Sequence, residues 1–170
     1  MGHIKWFLIV LFLWVVSCYR GYGLSPPGNV SGIEGRVTFV GEWPDSTREV
    51  WVVVLKNYPA GITEEDELFQ FVLENFVDST AIPLFVDQYD YQMTLNPGTY
   101  GWILIAWFPD IEVWFLGVKE LGAYYLSPGV QVIPTPVKID EGVMVDGIDI
   151  IADFSNIDRE LPFFRVKGVA

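Results

Sequence analysis

Acidic side chains dominate the reactive inventory of this 170-residue chain: 22 Asp and Glu stand against 10 Lys and Arg, for a formal net charge of −12. His3 is the single imidazole and Cys18 the single thiol. That stock is too small for a Ser-His-Asp or Cys-His arrangement in the body of the chain, or for a zinc site built from His and Cys. No Gly-rich phosphate loop of the usual spacing occurs. The acidity disfavours nucleic acid, whose phosphates must be neutralised by basic residues. Two carboxyl groups about 5–10 Å apart could hydrolyse a glycoside, but among so many acids spacing along the chain identifies no pair. The expected reading is non-enzymatic.

Oxygen ligation is the chemistry the acids suit best. Ca²⁺ takes roughly six to eight oxygen donors. Asp87-Gln88-Tyr89-Asp90 and Asp146-Gly147-Ile148-Asp149 each place two carboxylates close together, although neither has the long loop and closing Glu of an EF-hand. Their other reading is as turn acids and solvated strand ends. Beyond calcium no cofactor is expected. Aromatic stacking is the second option. Trp43, in Gly41-Glu42-Trp43-Pro44-Asp45, and Trp107 and Trp114, on either side of Pro109-Asp110, are the candidates for a sugar platform. Trp51 and Trp102 complete the set beyond the first 23 residues, and for all five the alternative is a place in the core or at its rim.

Lys5 and the amino terminus precede an unbroken apolar run over 6–16, which is eleven residues long. A membrane-spanning helix needs about 20, so 1–17 reads as a secretory signal. Val15-Val16-Ser17-Cys18 resembles a bacterial lipobox. The resemblance implies cleavage before Cys18, a diacylglycerol thioether on its sulfur and acylation of the new amino terminus, since stable membrane residence takes more than one chain. Tyr19, not Asp, follows the Cys, which by the same resemblance implies the outer membrane or cell surface. Plain secretion after a cut elsewhere, or an uncut anchor, are the alternatives. Gly2 does not signal myristoylation, because Trp6 stands where Ser or Thr is required. Loss of 1–17 removes His3 and Lys5, leaving nine basic residues against 22 acidic ones. Residues 18–31, rich in Gly, Pro and Ser, make a tether, and Asn29-Val30-Ser31 matches a glycosylation sequon by chance.

What must position these groups is a set of strands over 32–170. Runs rich in Val, Ile and aromatics are separated by Gly, Pro, Asn and Asp. A first strand is predicted over 33–40. Residues 49–58 are nearly continuous in β-formers, as a strand covered on both faces should be. Tyr89, Tyr91, Met93 and Leu95 alternate onto one face, and the turn Asn96-Pro97-Gly98 predicts a hairpin returning through 99–108. Further strands are predicted near 113–118, 123–126, 137–139 and 144–154. Thr63-Glu64-Glu65-Asp66 looks like a capping box, with Phe69, Val72, Leu73 and Phe76 on one face of a short helix over 64–77 that would cross an edge or end of the sheets. The expected fold class is mainly β, a single antiparallel β-sandwich of about seven strands, prealbumin-like or Ig-like.

Three stretches, in order, resemble carboxypeptidase regulatory-like domains, which are transthyretin-like (prealbumin-like) sandwiches. Ile33-Glu34-Gly35-Arg36-Val37 is similar to their opening strand, Leu95-Asn96-Pro97-Gly98-Thr99-Tyr100 to their Pro-Gly hairpin, and 137–150 to their closing strand. The resemblance spans 33–154, with a longer insert at 58–83, and implies an accessory role as a spacer, stabiliser or binding module on an exported protein. Fold does not fix function. The expectation is a cell-envelope lipoprotein with a binding or structural module, its partners the membrane, through lipid on Cys18, and a protein or glycan at the cell surface. The alternative is a secreted carbohydrate- or calcium-binding module without lipid.

Overall fold

The computed structural model describes residues 30–62, 64–112, 117–127 and 133–158. The described residues are mainly β, with sheets of antiparallel strands and one α-helix. In chain order the elements are β1 (Gly32–Val40), β2 (Thr47–Leu55), α1 (Glu65–Asn75), β3 (Phe76–Ile82), β4 (Gln88–Thr94), β5 (Gly98–Tyr100), β6 (Trp102–Pro109), β7 (Lys119–Ala123), β8 (Val137–Ile139), β9 (Met144–Val145) and β10 (Ile150–Asp153), followed by a 3-10 helix over Phe154–Asp158. Residues 1–29, which hold the expected signal segment, Cys18 and most of the expected tether, and Thr63 and Trp114 lie outside the described residues.

One sheet is built on β1, with β4 antiparallel on one side and both β9 and β10 parallel on the other. The second sheet runs β3-β2-β6-β7, antiparallel throughout, and β5 with β8 forms a two-stranded ribbon. A single core cluster takes Ile33, Val37, Tyr91, Met93 and Ile150 from the first sheet and Val50, Val52, Ile103, Ile105 and Leu121 from the second. Burial of a shared apolar face is what a two-layer β arrangement requires.

The strand faces follow the sequence pattern closely. Tyr91, Met93 and Leu95 are buried while Asp90, Gln92 and Thr94 are exposed. On β2, Val50, Val52 and Val54 enter the shared core and Val53 and Leu55 enter a second cluster on the outer face, so this strand is indeed covered on both sides.

Several expectations need correction. The Asn96-Pro97-Gly98 turn does not close a hairpin between β4 and β6. β4 pairs with β1, β5 with β8, and β6 with β2 and β7, so the turn carries the chain out of the first sheet into the β5–β8 ribbon, from which β6 enters the second sheet. The Tyr100 hydroxyl locks that corner by donating to the Asn96 carbonyl at 2.6 Å. The reason lies in the outward faces: β4 is polar outside and β6 apolar outside, so the two belong to sheets with different coverings. More strands form than the seven or so expected, and the pairings of β1 with β9 and β10 are parallel. The strand predicted at 123–126 lies earlier, at Lys119–Ala123. The single strand predicted over 144–154 is broken at 146–149, and of the strand predicted at 113–118 the described residues, Gly117 and Val118, are not in a strand.

α1 is present, but its N-cap is Glu64. It lies over the outer face of the second sheet rather than across an edge, and Leu68 and Val72 join the second cluster with Trp102, Leu104 and Ala106. The face predicted to be buried is mostly outside: Phe69 is 49% exposed, Leu73 60% and Phe76 50%. Both stripes have helical spacing, and only the packing partner decides between them.

Candidate functional site

The described residues bring the chemistry-bearing side chains together most densely on the outer face of the first sheet, in an open groove of about 490 Å³. β1 and β4 supply its floor. Their register sets Glu34 opposite Gln92 and Arg36 opposite Asp90, and because side chains alternate, all four leave the core together. The Arg36 guanidinium grips the Asp90 carboxylate through Nε at 2.7 Å and Nη2 at 3.3 Å. Gln92 Nε2 makes a longer bond, 3.4 Å, to the Glu34 carboxylate. Cross-strand pairs of this kind are the unit from which a sheet face is stabilised.

The wall is the break between β9 and β10, where Asp146, Gly147 and Asp149 line the groove. Three bonds stitch this segment to the sheet. Ile148 N–H donates to the Glu34 carbonyl at 3.1 Å, Arg36 N–H donates to Asp149 Oδ1 at 2.8 Å, and the buried Tyr91 hydroxyl donates to the Ile148 carbonyl at 2.7 Å. Gly147 has φ +73°, the left-handed region that glycine occupies without strain. Gly35 serves a different need, since a Cβ there would collide with the Ile148 carbonyl.

The electrostatics follow from these contacts. Asp90 is held below the ordinary carboxylate range, chiefly by its hydrogen bond to Arg36, and the Arg36 guanidinium is raised in turn. Burial pushes the Tyr91 hydroxyl well above the usual phenol range, with Asp149 and Tyr124 adding to the effect. Four acids, Glu34, Asp90, Asp146 and Asp149, thus surround one cation, Arg36, in the groove. Among the described residues no group of three or more His, Cys, Asp or Glu is placed to hold a metal ion. Of the four calcium candidates, Asp90, Asp146 and Asp149 line this one groove. Asp87 does not, and its carbonyl accepts from Phe39 N–H at 2.9 Å. Residues from distant parts of the sequence therefore converge, but two of the three carboxylates are engaged, Asp90 by a guanidinium and Asp149 by a backbone N–H.

The tryptophan candidates lie elsewhere. Trp43 is half-buried at the rim of the shared core. Its ring centroid is 4.6 Å from Phe39 and 4.8 Å from Phe154, and its indole N–H donates to the Val86 carbonyl at 3.1 Å. Phe85, 65% exposed, packs on it at 5.6 Å from a left-handed backbone, φ +59°. Trp107 is only 5% exposed, and its indole N–H donates to Thr47 Oγ1 at 2.8 Å. It points inward because β6 places its odd-numbered neighbours Ile103 and Ile105 in the same core. Neither ring is presented flat to solvent, and Trp114 lies outside the described residues.

Sequence reasoning missed Glu34, Arg36 and Gln92 as members of the groove. The alternation of β1 could have placed Glu34 and Arg36 outward, but nothing local shows that they face Gln92 and Asp90. Compared with known proteins, the chain matches no family model, no curated protein and no solved structure.

Proposed function

We propose that this chain is a non-enzymatic, lipid-anchored protein of the bacterial cell envelope, carried on an acylated Cys18, whose β-rich domain serves binding or structure. The observation that carries the reading is the amino-terminal arrangement: Lys5, an apolar run over 6–16 too short to remain as an anchor, and Val15-Val16-Ser17-Cys18 at its end. The distance from Cys18 to β1 supports it, because 19–31 would hold the first strand clear of the headgroups as a Gly-, Pro- and Ser-rich tether. The three-part likeness to carboxypeptidase regulatory-like domains argues for an accessory module, as does the absence of His after residue 3. The groove of Glu34, Arg36, Asp90 and Asp149 is a polar surface for such a module to use.

The intact mass of the mature protein, made with its own leader in a bacterial host, tests the reading. A mass equal to a Cys18 start plus a thioether-linked diacylglycerol and an acyl chain on the new amino terminus is expected. An unmodified start at Cys18 or Leu24 would overturn it and favour the second reading, a secreted module for sugars or calcium.

A further inference from the structure

α1 carries two apolar stripes, and only one of them is used by the sheet. Leu68 and Val72 pack inward, whereas Phe69 and Leu73, four residues apart on the helix, are 49% and 60% exposed, and Phe76 and Val77, which open β3 directly after it, are 50% and 37% exposed. Aromatic and aliphatic residues gathered where α1 passes into β3 mark an interaction surface rather than scattered surface apolarity. The charge around it is one-sided. Asp66, Glu67, Glu74 and Asp78 are exposed there, and no Lys, Arg or His occurs anywhere between Lys56 and Lys119.

The last twelve residues have the complementary composition. RELPFFRVKGVA carries Arg159, Arg165 and Lys167 against the lone Glu160, with Leu161, Phe163, Phe164 and Val166 between them. Three of the ten basic residues of the whole chain are therefore concentrated in this stretch, interleaved with aromatics. Reach agrees with composition. Asp158 closes the 3-10 helix that packs on β7, one edge of the second sheet, while α1 runs into β3 at the other edge. Four strands at about 4.8 Å spacing put the far edge roughly 15 Å away. Extended chain at about 3.3 Å per residue covers that in about five residues, so a twelve-residue segment leaving Asp158 is long enough to reach the helix.

We propose that segment 159–170 docks on the outward face of α1 and the start of β3, setting Phe163 and Phe164 against Leu73 and Phe76 and its basic residues against Glu67 and Glu74. The docked segment covers the apolar stripe that the sheet leaves outside and neutralises part of its acidic surround. It does not depend on acylation of Cys18.

The full-length protein with p-benzoylphenylalanine in place of Phe163 tests this directly, by irradiation and peptide mapping. Adducts within 65–82 of the same chain are expected, with unmixed isotopes when heavy- and light-labelled protein are combined. In Arg165→Glu with Lys167→Glu the yield should fall roughly fivefold, the loss of two exposed ion pairs, and Glu67→Lys with Glu74→Lys in that background should restore it. Glu67 and Glu74 are exposed, and Arg165 and Lys167 belong to the docking segment itself, so folding is not at stake. Adducts mapping to another surface or to lipid, mixed-isotope adducts that reveal a second copy, or yields indifferent to both charge reversals would each overturn the proposal.

Discussion

The two four-stranded sheets share one core but treat their outward faces in opposite ways. Outside β1 and β4 stand Glu34, Arg36, Asp90, Gln92 and Thr94, tied by cross-strand pairs and open to solvent. Outside β2 and β6 stand Val53, Leu55, Trp102, Leu104 and Ala106, closed over by Leu68 and Val72 of α1. The contrast explains both sequence textures. A sheet with one wet face alternates, and a sheet covered on both faces reads as a continuous apolar run. A solvated polar face can change its side chains without cost to the core, whereas the covered face is committed to holding the helix.

Introducing a charge on each face breaks or confirms this contrast with the largest effect. Leu104→Asp, under α1, should destabilise by about 4 kcal/mol or more, because a carboxylate there would be buried among apolar side chains, with the buried Glu120 of β7 on the same face. Gln92→Lys, on the open face, should stay within about 0.5 kcal/mol. Urea unfolding midpoints decide, and equal losses would mean that the faces are not different in kind.

A middling effect is expected where the open face meets the core. Tyr91→Phe removes the hydrogen bond to Ile148 and should cost about 1 kcal/mol. Because burial raises the pKa of the Tyr91 hydroxyl in the folded state, its contribution is complete below the ordinary tyrosine value near 10. It declines as pH rises past that value toward the folded one. Absorbance near 295 nm should therefore place Tyr91, with the also raised Tyr58 and Tyr100, among the tyrosines that ionise late, and Tyr91→Phe should shrink the step at alkaline unfolding by one tyrosine.

The smallest effect belongs to the ion pair. Arg36 and Asp90 side chains are 54% and 73% exposed, so Arg36→Ala should shift the neutral-pH midpoint only slightly. The sign is definite. Asp90 is held low by Arg36, so the pair stabilises above the ordinary Asp value near 4 and ceases to do so as pH falls through the lowered one. Wild-type and variant midpoints should differ at pH 7 and converge in acid. A gap that widens in acid would contradict the pairing.

Much of this was legible along the chain. β1 and β8, the outward set on β4, the double covering of β2 and the presence of α1 follow from periodicity and composition. The groove was half legible: Asp90, Asp146 and Asp149 stood out as acids near turns, but Arg36 and Glu34 looked like ordinary positions on a first strand. The helix misled through its two competing stripes. Phe69 and Leu73 are as apolar as Leu68 and Val72, and local spacing cannot rank them. The Pro-Gly turn misled because turn chemistry specifies a reversal of direction, not the sheet that the returning strand enters.

By itself the sequence determined which side chains share a face, since the two-residue period of a strand and the 3.6-residue period of a helix are properties of the local backbone. Only the tertiary structure decided which faces meet. Pairing β1 with β10, or Arg36 with Asp149, joins residues more than a hundred positions apart, and the free energy that selects such partners comes from burying the shared core as a whole, which no local window contains.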